Sequence, residues 1–498
     1  MCVIRPNEPG LSGFTEDCMR MRLLITTVLL LAALPTPSPV HGQQAGATSF
    51  SSIDGSHLKS YVERLAAISR KYRDNGHPQF WGRIIGTEAD HENAQWLLDR
   101  FKAIGLTDVR EQPFDLPPQW MPQSWSVTAN GAGGTFALSS AQPTSRGVAT
   151  PASGLDLEAV DVGFATDADL AAQALTGKAV FFYSTDVQSR HATISKGAVK
   201  RIGDKGAAAI FITLLIPGNM HFQFYPVGSA LPTFALGFED GMRARDMIAA
   251  SHSAGTPARV KLSLNVAMTP NLKTSTVWGT LPGTTDETVF IVAHRDGWFE
   301  GANDNGTGVA TMVGLAEYFA SVPKAQRRRT LVFLGTTGHH DGTAESGAWL
   351  LDHKEVFAKT ALIINCEHTA ANMLISSNGN VVNKAAVASP MSWYVGGSKK
   401  LEQIVSAAYD TFGVSLLERR SANAAGEIGR IQNLAPSMQL IDTGLYWHSD
   451  RETPDIVPAS GLAAVTRAYA KIITDIGAVP LKDLQRAMPA QTATTAPR

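Results

Sequence analysis

Three cysteines in 498 residues are too few for a disulfide framework. Cys2 and Cys18 stand in or before a leader-like segment, which leaves Cys366 as the one cysteine of the body. Charge of one sign is also missing. Lys and Arg number 43 against 44 Asp and Glu, net −1, with no extended basic stretch and no heptad repeat, so nucleic-acid binding and coiled-coil assembly are disfavoured. Long apolar runs are absent apart from residues 23–34, which follow Arg20 and Arg22 and precede Pro35, Pro37 and Pro39. That run is shorter than the roughly 20 residues that span a bilayer, so residues 1–42 read as a leader with a signal peptide cut near Gly42. An uncleaved anchor is the alternative, and Met19 and Met21 are alternative starts. The expectation is a secreted or periplasmic chain with no stable membrane insertion after cleavage.

What is present is concentrated in residues 289–306, VFIVAHRDGWFEGANDNG. An apolar run at 289–293 has the pattern of a strand buried on both faces. His294 and Asp296 stand at its end, Asp304 lies in a turn rich in Gly and Asn, and a helix-period stretch follows through Val309, Met312, Val313, Ala316 and Phe319. In open α/β sheets the ligand crevice lies beyond the carboxyl ends of the strands. Three later apolar runs repeat the arrangement: 330–334 leads to His339 and His340, 361–364 to Asn365-Cys366-Glu367-His368, and 437–441 to Tyr446-Trp447-His448. Imidazole and carboxylate together suit zinc, and a carboxylate can bridge two ions. The candidate metal ligands are therefore His294, Asp304, His340, Glu367 and His448, with Asp296 placed to hold the His294 imidazole in one tautomer. Simple capping of a strand and a helix by His294 and Asp304 is the competing reading for the first stretch alone. Cys366, on a strand beside a candidate ligand, should point to the opposite face and reads as a buried structural thiol.

HRD at 294–296, GANDNGTG at 301–308, RRTLVFLG at 328–335, NCE at 365–367 and HSDRET at 448–453 together resemble the co-catalytic di-zinc exopeptidases of clan MH, the aminopeptidase and glutamate carboxypeptidase type. The resemblance runs over the chain beyond the leader and implies a mixed, mostly parallel α/β sheet flanked by helices, the zinc exopeptidase fold. It implies two zinc ions per chain bridged by Asp304, one also held by His294 and Glu367, the other by His340 and His448. It further implies a peptide substrate hydrolysed by a hydroxide shared between the ions. The family has a Glu-Glu pair where this chain has His339-His340, so the general base falls on His339; a neutral imidazole can take a proton. Glu367 stands where the family usually has Asp, and Glu452 likewise. The His339 departure keeps two alternatives open: a metal-free, receptor-like binding homologue, and a hydrolase or cyclising transferase acting on a non-peptide bond. Aminopeptidase and carboxypeptidase action are both compatible, and oligomeric state is unread.

Residues 51–117 read as the first part of the catalytic domain, with amphipathic helices around 58–66 and 93–104, a Gly105 stop and a strand at 109–114. The GRIIGTEAD stretch at 82–90 is similar to a structural contact near the family's site, and His91 reads as a solvated helix residue. Residues 118–270, first rich in Pro, Ser, Thr, Gly and Trp and then in short apolar runs, resemble an inserted protease-associated domain. It is expected to wall the cleft without supplying chemistry, with His191 and His221 as minor cleft candidates. Residues 271–476 form the main catalytic part, where Arg327-Arg328-Arg329 reads as a solvated cluster, Glu345, five residues past His340, as a substitute base set to point elsewhere, Tyr446 or a backbone amide as an oxyanion donor, and Glu427 or Arg430 as a contact to a substrate terminus. Residues 477–498, rich in Ala, Thr and Pro, read as a disordered tail.

Overall fold

The computed structural model describes residues 50–184, 189–340, 350, 352–377, 380–442 and 444–485. The leader, the Glu345 stretch, the side chains of His191 and Glu427 and the chain beyond 485 lie outside the described residues. No described helix is long and apolar enough to cross a membrane.

Two sheets organise the chain. The first sheet has seven strands in the order Ser392–Gly396, Ser437–Ile441, Thr360–Cys366, Thr288–His294, Thr330–Thr336, Lys273–Leu281 and Thr107–Asp115. The four strands from Ser437–Ile441 to Thr330–Thr336 run parallel, and each flanking strand pairs antiparallel with its inner neighbour. Those four are the apolar runs singled out from the sequence. Parallel register puts all their carboxyl ends on one edge, and that edge holds the site.

Period-2 side-chain alternation explains why the runs are apolar throughout. Val289, Ile291 and Ala293 face a core built with the helices Gly55–Asp74, Glu88–Ile104, Gly308–Ser321 and Ala459–Ile476. Phe290 and Val292 face the opposite layer with Trp278, Val332, Leu334, Ile363, Ile428 and Ile431. Cys366 is buried on the helix side, where loss of water pushes its thiol up and leaves it inert. Asp54 caps the first of these helices through the His57 amide. Gly105 ends the second in the left-handed conformation.

Between the strands Thr107–Asp115 and Lys273–Leu281 the chain builds a second sheet of eight strands. Its central strands Leu155–Asp161, Ala179–Ser184, Ala209–Leu214 and Thr233–Leu236 are parallel. Its long outer pair, Gln119–Gly131 with Arg259–Thr269, is antiparallel. The helices Ser189–Asp204 and Phe238–Ser253 accompany it.

Two expectations need correction. The cluster at 327–329 is not simply solvated: Arg329 is buried and bonds the Ile476 and Val479 carbonyls, closing the open end of the last long helix, while Arg327 bonds the Phe319 and Pro282 carbonyls. The tail is ordered further than its composition suggests, because Leu481–Leu484 forms a helical turn that buries Leu484.

Candidate metal centre

The loop after Thr288–His294 is held by a buried arginine. Arg83 donates to the carbonyls of Arg295, Glu300 and Gly301 at 3.0, 2.7 and 3.0 Å, and its strand pairs with Gly297–Trp298. This is what the GRIIG stretch does: a rigid fork of donors gathers three carbonyls of one turn, with Asn93 adding a bond to the Arg295 carbonyl at 2.6 Å. Asn305 ties the same turn to the sheet, donating to the carbonyls of His294 (3.2 Å) and Cys366 (3.0 Å). Glu452 accepts from the backbone N–H of Asn303, Asp304 and His448, joining the first motif to the last. Burial and the neighbouring Asp304 carboxylate push Glu452 up to about 8.

Asp304 is at the centre, 1 % exposed. Its Oδ1 faces His294 Nε2 and His368 Nε2, each at 3.1 Å. Its Oδ2 faces His340 Nε2 at 3.1 Å and His448 Nε2 at 2.9 Å, and accepts from Trp447 Nε1 at 2.8 Å. One carboxylate thus has two imidazoles on each oxygen.

Three of the rings have their far nitrogen committed. His294 Nδ1 donates to the Asp296 carbonyl at 3.2 Å, His340 Nδ1 to the Asp296 carboxylate at 3.0 Å, and His368 Nδ1 to the Asp442 carbonyl at 2.9 Å. A proton on Nδ1 leaves the lone pair on Nε2, aimed at Asp304; metal-binding histidines are oriented in this way. Asp296 reaches both of its histidines: its Oδ2 also accepts the His340 N–H, and its Oδ1 lies 3.6 Å from His294 Nδ1. Separations of 2.9–3.1 Å between ligand atoms suit the edge of a coordination shell with bonds of about 2.0–2.2 Å. The donor set therefore fits zinc.

Glu367 stands slightly apart. Its Oε2 accepts from Asn365 (2.5 Å) and Gln439 (3.1 Å), and its Oε1 lies 3.9 Å from His339 Nε2. Gly426, with φ +62°, lies over this carboxylate; a Cβ there would sit 2.1 Å from Oε2, so only glycine fits. His294, His339 and Glu367 make a second group that could hold an ion, beside His294, Asp304 and His340.

His339 stacks on His294, centroids 4.2 Å apart and planes 12° from parallel. Its Nε2 is 2.9 Å from the Tyr225 hydroxyl. Tyr225 lies in the 118–270 segment, which thereby brings a polar group to the centre. It arrives on the 221–225 stretch, where Phe222 bridges to Ser449, the Gln223 N–H donates to the His448 carbonyl at 2.9 Å, and His221 Nδ1 meets Asp450 at 2.8 Å. Sequence reasoning passed over Tyr225 because it lies 114 residues from its partner and in no motif. His368 stood beside a chosen ligand and was passed over too. Arg430 is exposed, and His91 is exposed on its helix as read.

Residues 276–473 match the model of Peptidase family M28. A curated relative described as probable leucine aminopeptidase 2, from Trichophyton verrucosum, is 22% identical over 373 residues, covering 71% of this chain and 66% of that protein. The crystal structure of a peptidase M28 precursor from Shewanella amazonensis aligns with TM-score 0.69 at 20% identity, over 90% of this chain and 98% of that one. That of BSAP, a zinc aminopeptidase from Bacillus subtilis, aligns with TM-score 0.60 at 17% identity, over 87% and 98%. At these identities the structural likeness is one of fold.

Proposed function

The chain belongs, through residues 276–473, to peptidase family M28, and from that premise we propose that it is an exported, zinc-dependent aminopeptidase. The observation that carries the reading is the Asp304 carboxylate with His294 on one oxygen and His340 and His448 on the other. A side chain so placed is built to be shared by two cations, and a discarded site has no reason to keep the set. The aminopeptidase assignment is supported by the relatives of that description; export is supported by the basic and apolar pattern of residues 20–34.

Asp304 would bridge two ions, with His294 and Glu367 serving one and His340 and His448 the other. Bound there, zinc polarises a carbonyl and lowers the pKa of water toward neutrality. The protein's part is positional and protolytic. The Asp296 carbonyl and carboxylate keep the His294 and His340 rings in the Nδ1–H tautomer. His339 accepts the proton of the attacking water at Nε2 and returns it to the leaving amine. Tyr225, 2.9 Å from that nitrogen, holds the ring in place. The Glu367 carboxylate, with Oε1 3.9 Å away, offsets the positive charge that His339 takes up. The inserted domain, pinned through His221 and Asp450, walls the cleft.

The test is zinc stoichiometry together with a substrate panel. We expect about two ions per chain, cleavage of aminoacyl anilides and free-amine peptides, and no cleavage of N-acylated ones. A metal-free protein that hydrolyses nothing in the panel would leave the receptor-like reading standing instead.

A further inference from the structure

We propose that His368 is itself a metal ligand, sharing with His294 the ion on the Oδ1 side of Asp304. This rests on the zinc reading above and adds a residue to it.

The argument begins with the proton. A backbone carbonyl can only accept, so the 2.9 Å contact between His368 Nδ1 and the Asp442 carbonyl places hydrogen on Nδ1. Nε2 of the neutral ring then carries a lone pair. It lies 3.1 Å from Asp304 Oδ1, out of hydrogen-bonding alignment with it, in a space 1 % exposed for both residues. Neither atom has a hydrogen-bond partner. Two buried lone pairs at this distance need a positive charge between them, and an ion set off the line joining the atoms meets both where a proton on Nε2 is not aligned to bond Oδ1.

Geometry agrees. With zinc bonds of about 2.0–2.2 Å to nitrogen and oxygen, two ligands on one ion stand roughly 2.9–3.4 Å apart, depending on coordination number. The His368–Asp304 separation lies in that window and equals the His294–Asp304 separation on the same oxygen. The backbone is shaped to the purpose. His368 has φ +47°, a left-handed conformation uncommon outside glycine and a frequent companion of functional sites, and its N–H is anchored on Asn305 Oδ1 at 3.1 Å. Glu367, the neighbouring carboxylate, is meanwhile engaged by Asn365 and Gln439. The turn after Thr360–Cys366 therefore offers an imidazole on Asp304 Oδ1 in addition to the Glu367 carboxylate, which takes those two bonds on Oε2.

The decisive experiment is anomalous diffraction at the zinc edge from crystals of the full chain loaded with zinc chloride, with zinc titration of the apo protein alongside. We expect a peak within about 2.2 Å of His368 Nε2. In solution, His368→Gln should weaken one of two ions by about a hundredfold or more, beyond what loss of a supporting hydrogen bond costs. His368→Asp should recover much of that loss by supplying a carboxylate. The ion that keeps wild-type affinity in each variant reports an intact fold. Two ions bound with His368 Nε2 more than about 3 Å from both would overturn the proposal and leave the zinc reading intact. So would a His368→Gln protein that binds both ions as tightly as wild type. A wild-type chain that binds no zinc at saturation would overturn both.

Discussion

Replacing His339 by alanine separates the chemistry of this centre from its assembly. The ring is 13 % exposed, stacks on His294 and meets the Tyr225 hydroxyl at 2.9 Å. Its loss removes the proposed proton carrier and leaves Asp304, its four facing imidazoles and the Arg83 clamp in place. A positioned general base contributes about 10²–10⁴ in rate, or about 2.7–5.4 kcal/mol at 1.36 kcal/mol per decade. The structural cost of the missing ring is about 1–2 kcal/mol, the ordinary range for a partly buried side chain. His339→Ala should therefore lower kcat at least a hundredfold, leave KM within a few-fold, keep two zinc ions and shift Tm by only a few degrees. His339→Glu, which supplies the carboxylate that related enzymes carry there, should regain a substantial part of the rate. The assay is steady-state hydrolysis of an aminoacyl anilide with metal analysis on the same preparation. Two results would refute the reasoning: kcat within about threefold of wild type, or loss of an ion along with the activity. The second would assign His339 to the group with His294 and Glu367 as a ligand rather than a base.

Further outcomes follow from the same geometry. Tyr225→Phe removes one hydrogen bond to His339 and should cost about 1 kcal/mol, roughly fivefold in kcat, with zinc content unchanged; a larger loss of metal than of rate would argue against a positioning role. Exhaustive chelation should lower Tm by several degrees, since a ligand that binds only the native state stabilises it by mass action, and readdition of zinc should restore it; an unchanged Tm in scanning calorimetry would contradict a metal held by native residues alone. His221 places Nδ1 at 2.8 Å from Asp450 and Nε2 at 3.0 Å from the Ser139 carbonyl, and only the protonated ring can donate to both. The Asp450 hydrogen bond accordingly raises its pKa above the unfolded value. The resulting stabilisation is complete below about pH 6.5, the unfolded value, and is lost as pH rises through the raised folded pKa. The stability gap between wild type and His221→Asn, read from denaturant midpoints, should thus close at alkaline pH; a gap that widens instead would reverse the sign.

Much of the catalytic half was legible along the chain. Strands covered on both faces must be apolar at every position, so 289–293, 330–334, 361–364 and 437–441 announced themselves, and so did the polar residues at their ends. Helix spacing and Gly105 likewise marked the two opening helices. What the chain order could not carry was the meeting of distant groups. Composition made 327–329 look solvated, because whether a guanidinium faces water or the open carbonyls of a helix ending at Ile476 depends on packing.

His294, Asp304, His340, Glu367 and His448 could be named from residue type and spacing, since parallel strands deliver their carboxyl ends to one edge whatever lies between them. The tertiary structure alone decided that Asp304 stands between two pairs of imidazoles, that His368 joins His294 on Oδ1, and that Tyr225 reaches His339 across 114 residues. A strand's direction and burial are local properties of its side chains. Which nitrogen keeps its lone pair, and what that lone pair faces, is set by hydrogen bonds that close only when the whole chain has packed.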